Sequence, residues 1–464
     1  MGIKGKGEWF LLGLSFNVLE RLNLKSDAEI NMCIGVKKAK VKLKELRNNL
    51  DAYSIHRTTM VRFGLLGIHQ PLAFFFDEIK GQLKAGPVVG VLCSRPVMMH
   101  DPEVESLFKT ISKTAYEAGV ICYFFTPDFV NYHSETISGF IYDSNFKKDW
   151  IIQEFPIPDV IYNQVGFITE ELRPLYTKMV VDYVKKNKSV KLLNPFGLND
   201  KLINHNDFMR YPLIKDYLPE TMECKSADAV FYFLQKYGAA YLKPTSSSLG
   251  FGIYKITKES NGRYVVEHHV SKTEKFTQTF QDKKELLTGI NSIITAKRSY
   301  LVQQPICVIH LKNRPVVFRG HVFKNEKGRW DILIIKAKLG PEAGIITGPL
   351  WGGYRTTALE ILTKTFGDQG AVAAIKEIEK CLFNIAWVID DIYSGQFGEL
   401  GFDIGVDVNR KVWMIEVNPK PNWNVPPGVD AQVCEKNLAE HLLGYCRYQL
   451  ELSGLKWALC SPVG

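Results

Sequence analysis

The chain has 464 residues, 46% hydrophobic and 23% charged, with a formal net charge of +9. That length exceeds one ordinary core and predicts two or three globular domains, and the composition excludes collagen-like, low-complexity and disordered classes. The positive balance suits anionic ligands such as nucleotides. It is spread over a large surface, with no aromatic-interleaved basic motif and no finger spacing, so nucleic acid is not expected as a partner.

Residues 1–85 carry short apolar stretches, Glu8–Leu14, Asn31–Val36 and Thr59–Leu66, and predict a small β-rich N-terminal unit. Ala39–Leu50 is Lys-rich and fits a helix only ambiguously. Trp9–Leu14 after Lys4 and Lys6 is short, without a small-residue cleavage site, and is not read as a signal peptide. No apolar run reaches the length of a bilayer span, so no membrane partner is expected. Nine cysteines, an odd number with no CxxC pair, argue against zinc and disulfide frameworks. A reducing compartment, the cytoplasm, is the expected location.

From 86 to 195 the pattern is that of an α/β domain. Pro87–Cys93 is a continuous apolar run, as in a buried parallel strand. Asp101 and Pro102 open a helix through about Ala118, with Gly119 as its stop, and Val120–Phe125 is the next strand, giving a βαβ unit. Asp159–Tyr162 reads as a strand, Leu175–Asn187 as a helix and Leu192–Asn194 as a last short strand.

A turn-rich boundary, 194–200, opens a third domain, 196–464. Lys201–Tyr211 and Ala227–Tyr237 read as helices, the second stopped by Gly238. Ala239–Leu242 and Gly252–Ile256 are strands around a polar loop; Tyr300–Val302, Val316–Phe323 and Trp330–Ala337 are further strands. A long Ala-rich helix is expected over Gln369–Asp390, and an amphipathic one over Asp430–Leu452.

Four constellations carry chemistry. The first strand pair delivers Lys243, then Ser246, Ser247, Ser248 and Gly250 in a small-residue loop. Small residues expose backbone N–H groups to phosphate oxygens, and a lysine supplies charge. A hairpin turn with a surface lysine is the plainer reading. Tyr300–Ile306 ends an apolar strand in Gln303, Gln304 and Pro305, a hinge whose polar edge suits an adenine amine. Arg319, His321, Lys336 and Lys338 alternate along apolar strands and either hold an anion inside or form a solvated face. Gly344–Gly353 is too glycine-rich for a regular element and reads as a connector or as a substrate loop with Thr347 and Arg355 as contacts.

The fourth is Leu400–Pro421, two alternating runs around Asn409-Arg410-Lys411. Glu416 and Asn418, two apart, share a sheet face, and a hairpin brings Asp403 opposite them. Three oxygen donors in apolar surroundings suit a hard cation, Mg²⁺, completed by phosphate oxygens.

Together these residues resemble the ATP-grasp superfamily. A lysine follows a domain boundary (Lys201), a strand lysine precedes a small-residue loop (Lys243), then come a hinge, an arginine strand (Arg319) and Asp403…Glu416-Val-Asn-Pro. Gly86-Pro-Val-Val-Gly-Val-Leu92, Tyr300-Leu-Val-Gln-Gln304, Ile345-Ile-Thr347…Gly352-Gly353 and Gly401-Phe-Asp-Ile-Gly-Val-Asp407…Ile415-Glu-Val-Asn-Pro-Lys-Pro421 look like its YheC/YheD branch, which is known from spore-coat-associated proteins. The resemblance implies a β-rich N-terminal unit, a pre-ATP-grasp α/β domain and two α+β subdomains enclosing a nucleotide cleft.

It further implies that Lys201 and Lys243 hold the α- and β-phosphates and that Ser246–Gly250 closes as a lid. Gln303, Gln304 and Ile306 would frame adenine; Lys336 and Lys338, from their alternation alone, are candidates for binding the anion. Asp403, Glu416 and Asn418 would hold Mg²⁺, and Arg319 would stabilise the transferred phosphoryl group. The implied activity is an ATP-dependent carboxylate–amine ligase acting through an acyl phosphate, on small-molecule or peptide carboxylates and amines. Alternatives are an ATP-binding structural or regulatory spore-coat protein without turnover, and a kinase. The chain departs from the usual pattern in having glutamine rather than a carboxylate at the hinge, Gly401 where an arginine is common, and Lys420 where a small hydroxyl residue is common.

Overall fold

The computed structural model describes residues 10–47, 50–97, 101–143, 149–166, 168–195, 197–246, 250–271, 274–294, 298–345 and 352–463. The chain forms two compact units, one of residues 1–195, 323–331 and 431–464, the other of 196–322 and 332–430. The stretch 431–464, read above as the end of a third domain, therefore belongs to the first unit.

In the first unit the β-rich N-terminal region is a closed barrel, ordered Phe10–Ser15, Lys37–Leu46, Glu29–Ile34, Gln82–Ala85, Leu72–Asp77, Lys456–Pro462 and Ala52–Ile55. The Lys-rich stretch is a strand, not a helix. Lys38, Lys40, Lys42 and Lys44 fall on one side of the alternation and Val41 and Leu43, both buried, on the other. Thr59–Leu66, read as strand-like, is helical over Arg57–Phe63.

Beside the barrel lies a sheet with a parallel centre. Val88–Leu92 pairs Ile121–Phe125 and Val160–Asn163, and the latter pairs Lys191–Leu193, all parallel. The crossover helix Pro102–Glu117 starts at Asp101, whose carboxylate accepts from the Val104 N–H at 3.0 Å. Gly119 follows it with φ +67, and a Cβ there would meet the Ala73 nitrogen at 2.5 Å, so the turn needs glycine. The predicted helix 175–187 is a helical path from Arg173 to Lys186 with a π-type middle, Thr177–Tyr183. The C-terminal helix Ala431–Gln449 returns to this unit, where Glu435 accepts from the hydroxyls of Ser106 and Thr110 at 3.0 and 2.9 Å.

The second unit holds two six-stranded sheets. The first runs Thr221–Glu223, Tyr300–Gln303, Ala239–Pro244, Tyr254–Lys258, Tyr264–His269, Lys275–Phe280. Helices Ala227–Tyr237 and Lys283–Ile293 supply Val230, Phe233, Leu234, Leu286 and Ile290 to a core with Leu242, Ile256, Val266 and Val302. The second sheet runs Tyr354–Thr357, Trp330–Leu339, Arg314–Lys324, Glu399–Val406, Val412–Asn418, with a sixth strand, His310–Leu311, pairing the start of Arg314–Lys324. Its helix, Ala358–Ile392, breaks at Gly367 (φ +71), just before the predicted start at Gln369.

Candidate active site

Alternation on the arginine strand decides which way its charges face. Gly320 lies against the long helix so closely that an added Cβ would meet Leu382 Cδ1 at 2.5 Å. Its neighbours Arg319 and His321 therefore point to the opposite face. On the next strand Ala337 is fully buried, and Lys336 and Lys338 share the face opposite to it. These charges are inside; the solvated-face alternative fails. Burial alone would lower the Arg319 pKa, but Asp403 raises it above the ordinary arginine value.

The hairpin Glu399–Val406/Val412–Asn418 pairs Asp403 with Glu416 and Gly401 with Asn418, with a bulge after Asp403. Arg319 grips Asp403 with both arms of its guanidinium, Nε to Oδ1 at 2.7 Å and NH2 to Oδ2 at 3.0 Å, and Lys338 adds a 2.7 Å bond to Oδ1. Burial alone would raise the Asp403 pKa; the two cations outweigh it and hold the carboxyl well below its usual range. Lys338 is itself pushed down, first by burial, although Asp403 pulls the other way.

Lys336, 3% exposed, donates to the backbone carbonyl of Asn424. Burial, followed by the positive neighbours Arg319, Arg355 and Lys338, lowers its pKa to about 7. Asn418 Oδ1 accepts from the Lys420 N–H at 3.0 Å, and burial lowers Lys420 to about 8.

Lys201 opens the helix Lys201–Phe208, capped by Asp200, whose carboxylate accepts from the Leu202 and Ile203 N–H groups at 2.9 Å each. Its backbone N–H reaches the Thr245 carbonyl at 2.9 Å, and its Nζ lies 3.3 Å from Glu416 Oε1. Lys243 projects from the strand that ends at this loop. Burial lowers it to about 8; Glu416 nearby raises it and Lys201 lowers it further. The two lysines thus converge on the glutamate of the closing hairpin.

Lys243 donates to Gln303 Oε1 at 2.6 Å, and Gln303 Nε2 donates to the Thr221 hydroxyl at 2.9 Å. Gln304 turns elsewhere: its Oε1 accepts from the Glu220 N–H at 2.7 Å and its own N–H bonds the Glu220 carbonyl at 2.9 Å, so its side chain fastens two strands together. Ile306 borders Gly405, where a Cβ would lie 3.5 Å from its Cγ2. In the loop, Ser246 is exposed and Gly250 has φ +82. Ser247, Ser248 and Thr347 lie outside the described residues.

Three participants escaped the sequence reading. Thr221 holds Gln303 and carries no local signal. Glu399 is fully buried with its Oε1 2.7 Å from His321 Nε2, and its alternation with Asp403 on one strand could have revealed it. Burial lowers the His321 pKa, and the Trp423 ring packs against its ring at 4.2 Å with a 32° tilt. Gly401 explains its own departure from the usual arginine: a Cβ there would meet Pro421 Cβ at 2.6 Å and Arg319 NH1 at 3.3 Å. The Arg319 guanidinium already fills that space.

Among the described residues no cluster of three or more His, Cys, Asp or Glu side chains could hold a metal ion. The hairpin offers two carboxylates and an amide. No described helix is long and apolar enough to cross a membrane.

In comparison with known proteins, residues 189–449, more than half of the chain, match the YheC/D-like ATP-grasp family. The endospore coat-associated protein YheD of Bacillus subtilis (strain 168) is 28% identical over 349 residues, covering 73% of this chain and 74% of that protein. Endospore coat-associated protein YheC of the same organism is 24% identical over 311 residues, covering 67% and 83%. Among solved structures, macrocyclase MdnC bound with precursor peptide MdnA, from Microcystis aeruginosa MRC, aligns at 13% identity and a TM-score of 0.42, covering 76% of this chain and 98% of that one.

Proposed function

The chain belongs to the YheC/D-like ATP-grasp family, a fold that binds ATP with metal ions, and from that membership we propose that it is an ATP-dependent carboxylate–amine ligase. The observation that supports this most is the register of the closing hairpin, which sets Asp403 against Glu416 with Lys201 on the glutamate and Arg319 on the aspartate. A substrate carboxylate attacks the γ-phosphorus, ADP departs, and an amine then attacks the acyl carbon and expels phosphate.

Asp403, Glu416 and Asn418 present the oxygen donors a hard divalent cation prefers, and Mg²⁺ is the ion of this reading. When bound it would neutralise charge on the phosphate oxygens. Lys201 and Lys243 bind the α- and β-phosphates, and Gln303 orients Lys243. Arg319 and Lys338 meet the charge that spreads over the transferred phosphoryl group. Ser246–Gly250 excludes water from the acyl phosphate. Adenine rests against Gln303 and Ile306; Gln304 contributes by holding the hinge strand rather than by its own amide.

One observation favours a second reading, an ATP-binding protein without turnover. Both oxygens of Asp403 are engaged by Arg319 and Lys338, and a site that kept this network closed would bind nucleotide without completing the metal end. Association with the spore coat, as named for the two Bacillus relatives, suits either role.

The deciding measurement is ADP release against a panel of acids, amines and acidic peptides. Release that requires both an acid and an amine supports the ligase; tight Mg-ATP binding with no release on any panel supports the second reading. Glu416→Gln is expected to abolish turnover with an unchanged circular dichroism spectrum. Unaltered turnover would remove Glu416 from the metal.

A further inference from the structure

Across one face of the second sheet, charge is sorted by strand. Tyr354–Thr357 carries Arg355, which stands directly opposite Lys338 in the register. Trp330–Leu339 carries Lys336 and Lys338, and Arg314–Lys324 carries Arg319. Only then come the carboxylates, Asp403 and Glu416, on the last two strands. Opposed residues share a face, and so do residues two apart on one strand, so the four cations form one continuous basic half.

The acidic half does not neutralise it. Asp403 is taken by Arg319 and Lys338, Glu416 faces Lys201, and Glu399 is taken by His321. Among the described residues neither Lys336 nor Arg355 has a carboxylate in ion-pair contact. Lys336 meets a backbone carbonyl, and the side chain of the half-buried Arg355 makes no hydrogen bond or ion pair among the described residues. Like charges set opposite one another, as Lys338 and Arg355 are, repel unless an anion comes between them. A γ-phosphate and one reacting carboxylate at Arg319 account for the inner end. They do not account for the outer one, two strands away, about 10 Å at ~4.8 Å per strand.

We propose that the acid substrate carries a second carboxylate, which Arg355 and Lys336 bind while its reacting carboxylate lies at Arg319. The inference rests on the ligase reading for which carboxylate reacts, but binding of the dianion needs no turnover. The strand spacing suits acids whose two carboxylates are held several ångströms apart, supplied either as a free diacid or as two acidic side chains of a peptide.

The test is calorimetric binding to the full chain with Mg²⁺ and a non-hydrolysable ATP analogue. The probes are the α,ω-dicarboxylates from succinate to pimelate, each against its monoamide, and a capped Glu-Glu dipeptide against its Glu-Gln counterpart. At least one diacid or the Glu-Glu peptide is expected to bind about tenfold or more tightly than its neutralised counterpart. The better binder identifies the source. Arg355→Gln should shrink that ratio towards one while leaving ATP-analogue affinity within about twofold, and Lys336→Met, separately, should also shrink the ratio. If no diacid or peptide outbinds its counterpart, or if the ratio survives both substitutions, the proposal is overturned. A preserved ratio with no ADP release on any panel defeats the ligase and leaves the dianion site standing. Turnover on monoacids without any diacid preference does the reverse.

Discussion

Two strands of this protein carry lysines two positions apart, and they meet opposite fates. In the barrel strand Lys37–Leu46, Lys40 and Lys44 keep 62% and 50% of their side chains exposed and pair, each at 2.6 Å, with Glu29 and Asp27 in solvent. In Trp330–Leu339, Lys338 keeps 13% and holds a buried aspartate, while Lys336 is buried beside other cations. Spacing is the same in both; what differs is the far side of the alternation and what waits on the lysine side. Exposed pairs are worth about 0–1 kcal/mol, whereas a buried charge stripped of its partner costs several. A lysine ladder thus reads as solubility or as a site only once its partners are known.

The contrast can be broken most sharply at Asp403. Asp403→Asn removes the counter-charge of two buried cations and is expected to cost about 3–5 kcal/mol in urea unfolding. A cost below about 1 kcal/mol would put the buried ladder in the class of the exposed one. Next in size, Lys243→Ala should weaken ATP binding at least about tenfold by calorimetry, the scale of a lost charge-assisted hydrogen bond; an unchanged affinity would detach Lys243 from the nucleotide.

The pH dependence follows from the direction of the Asp403 shift. Its carboxyl is held below the ordinary value, so its stabilisation is fully present above about pH 4 and is lost as pH falls through its native pKa. Acid titration of the unfolding midpoint should show that loss in the natural chain, and a flatter one in Asp403→Asn. Equal acid sensitivity would mean that other carboxylates dominate. Smallest of all, Lys44→Ala should change stability by no more than about 0.5 kcal/mol, and less in high salt; a larger loss would show that the outer ladder is structural.

The sequence was most legible where burial is two-sided and least where it is absent. Val88–Leu92 and Ile121–Phe125 are buried at every position, which is why they read as parallel strands. Lys275–Phe280 is exposed at its first five positions on the edge of its sheet, so it offers no apolar alternation to read, and Tyr264–His269 beside it was passed over too. The closing hairpin was legible because alternation fixes which side chains converge. Gln304 was not, because its choice of the Glu220 backbone depends on a strand pairing between residues eighty-four apart. Gly401 carried no meaning until Arg319, from another strand, was found lying over it.

The barrel seam has a consequence in time. Lys456–Pro462 lies between Leu72–Asp77 and Ala52–Ile55, with Cys460 opposite Leu72. The last stave of a vessel begun near the amino end is therefore made after the whole of 196–322 and 332–430 has been synthesised. The six earlier strands, all within residues 10–85, cannot close into a barrel for the time needed to make nearly four hundred residues, about 20–80 s at ~5–20 residues per second. During that interval the second unit can complete itself while the barrel waits unsealed, with bare strand edges on either side of the gap. Birth order and folding order are thus inverted in this molecule: the part begun first is the part finished last.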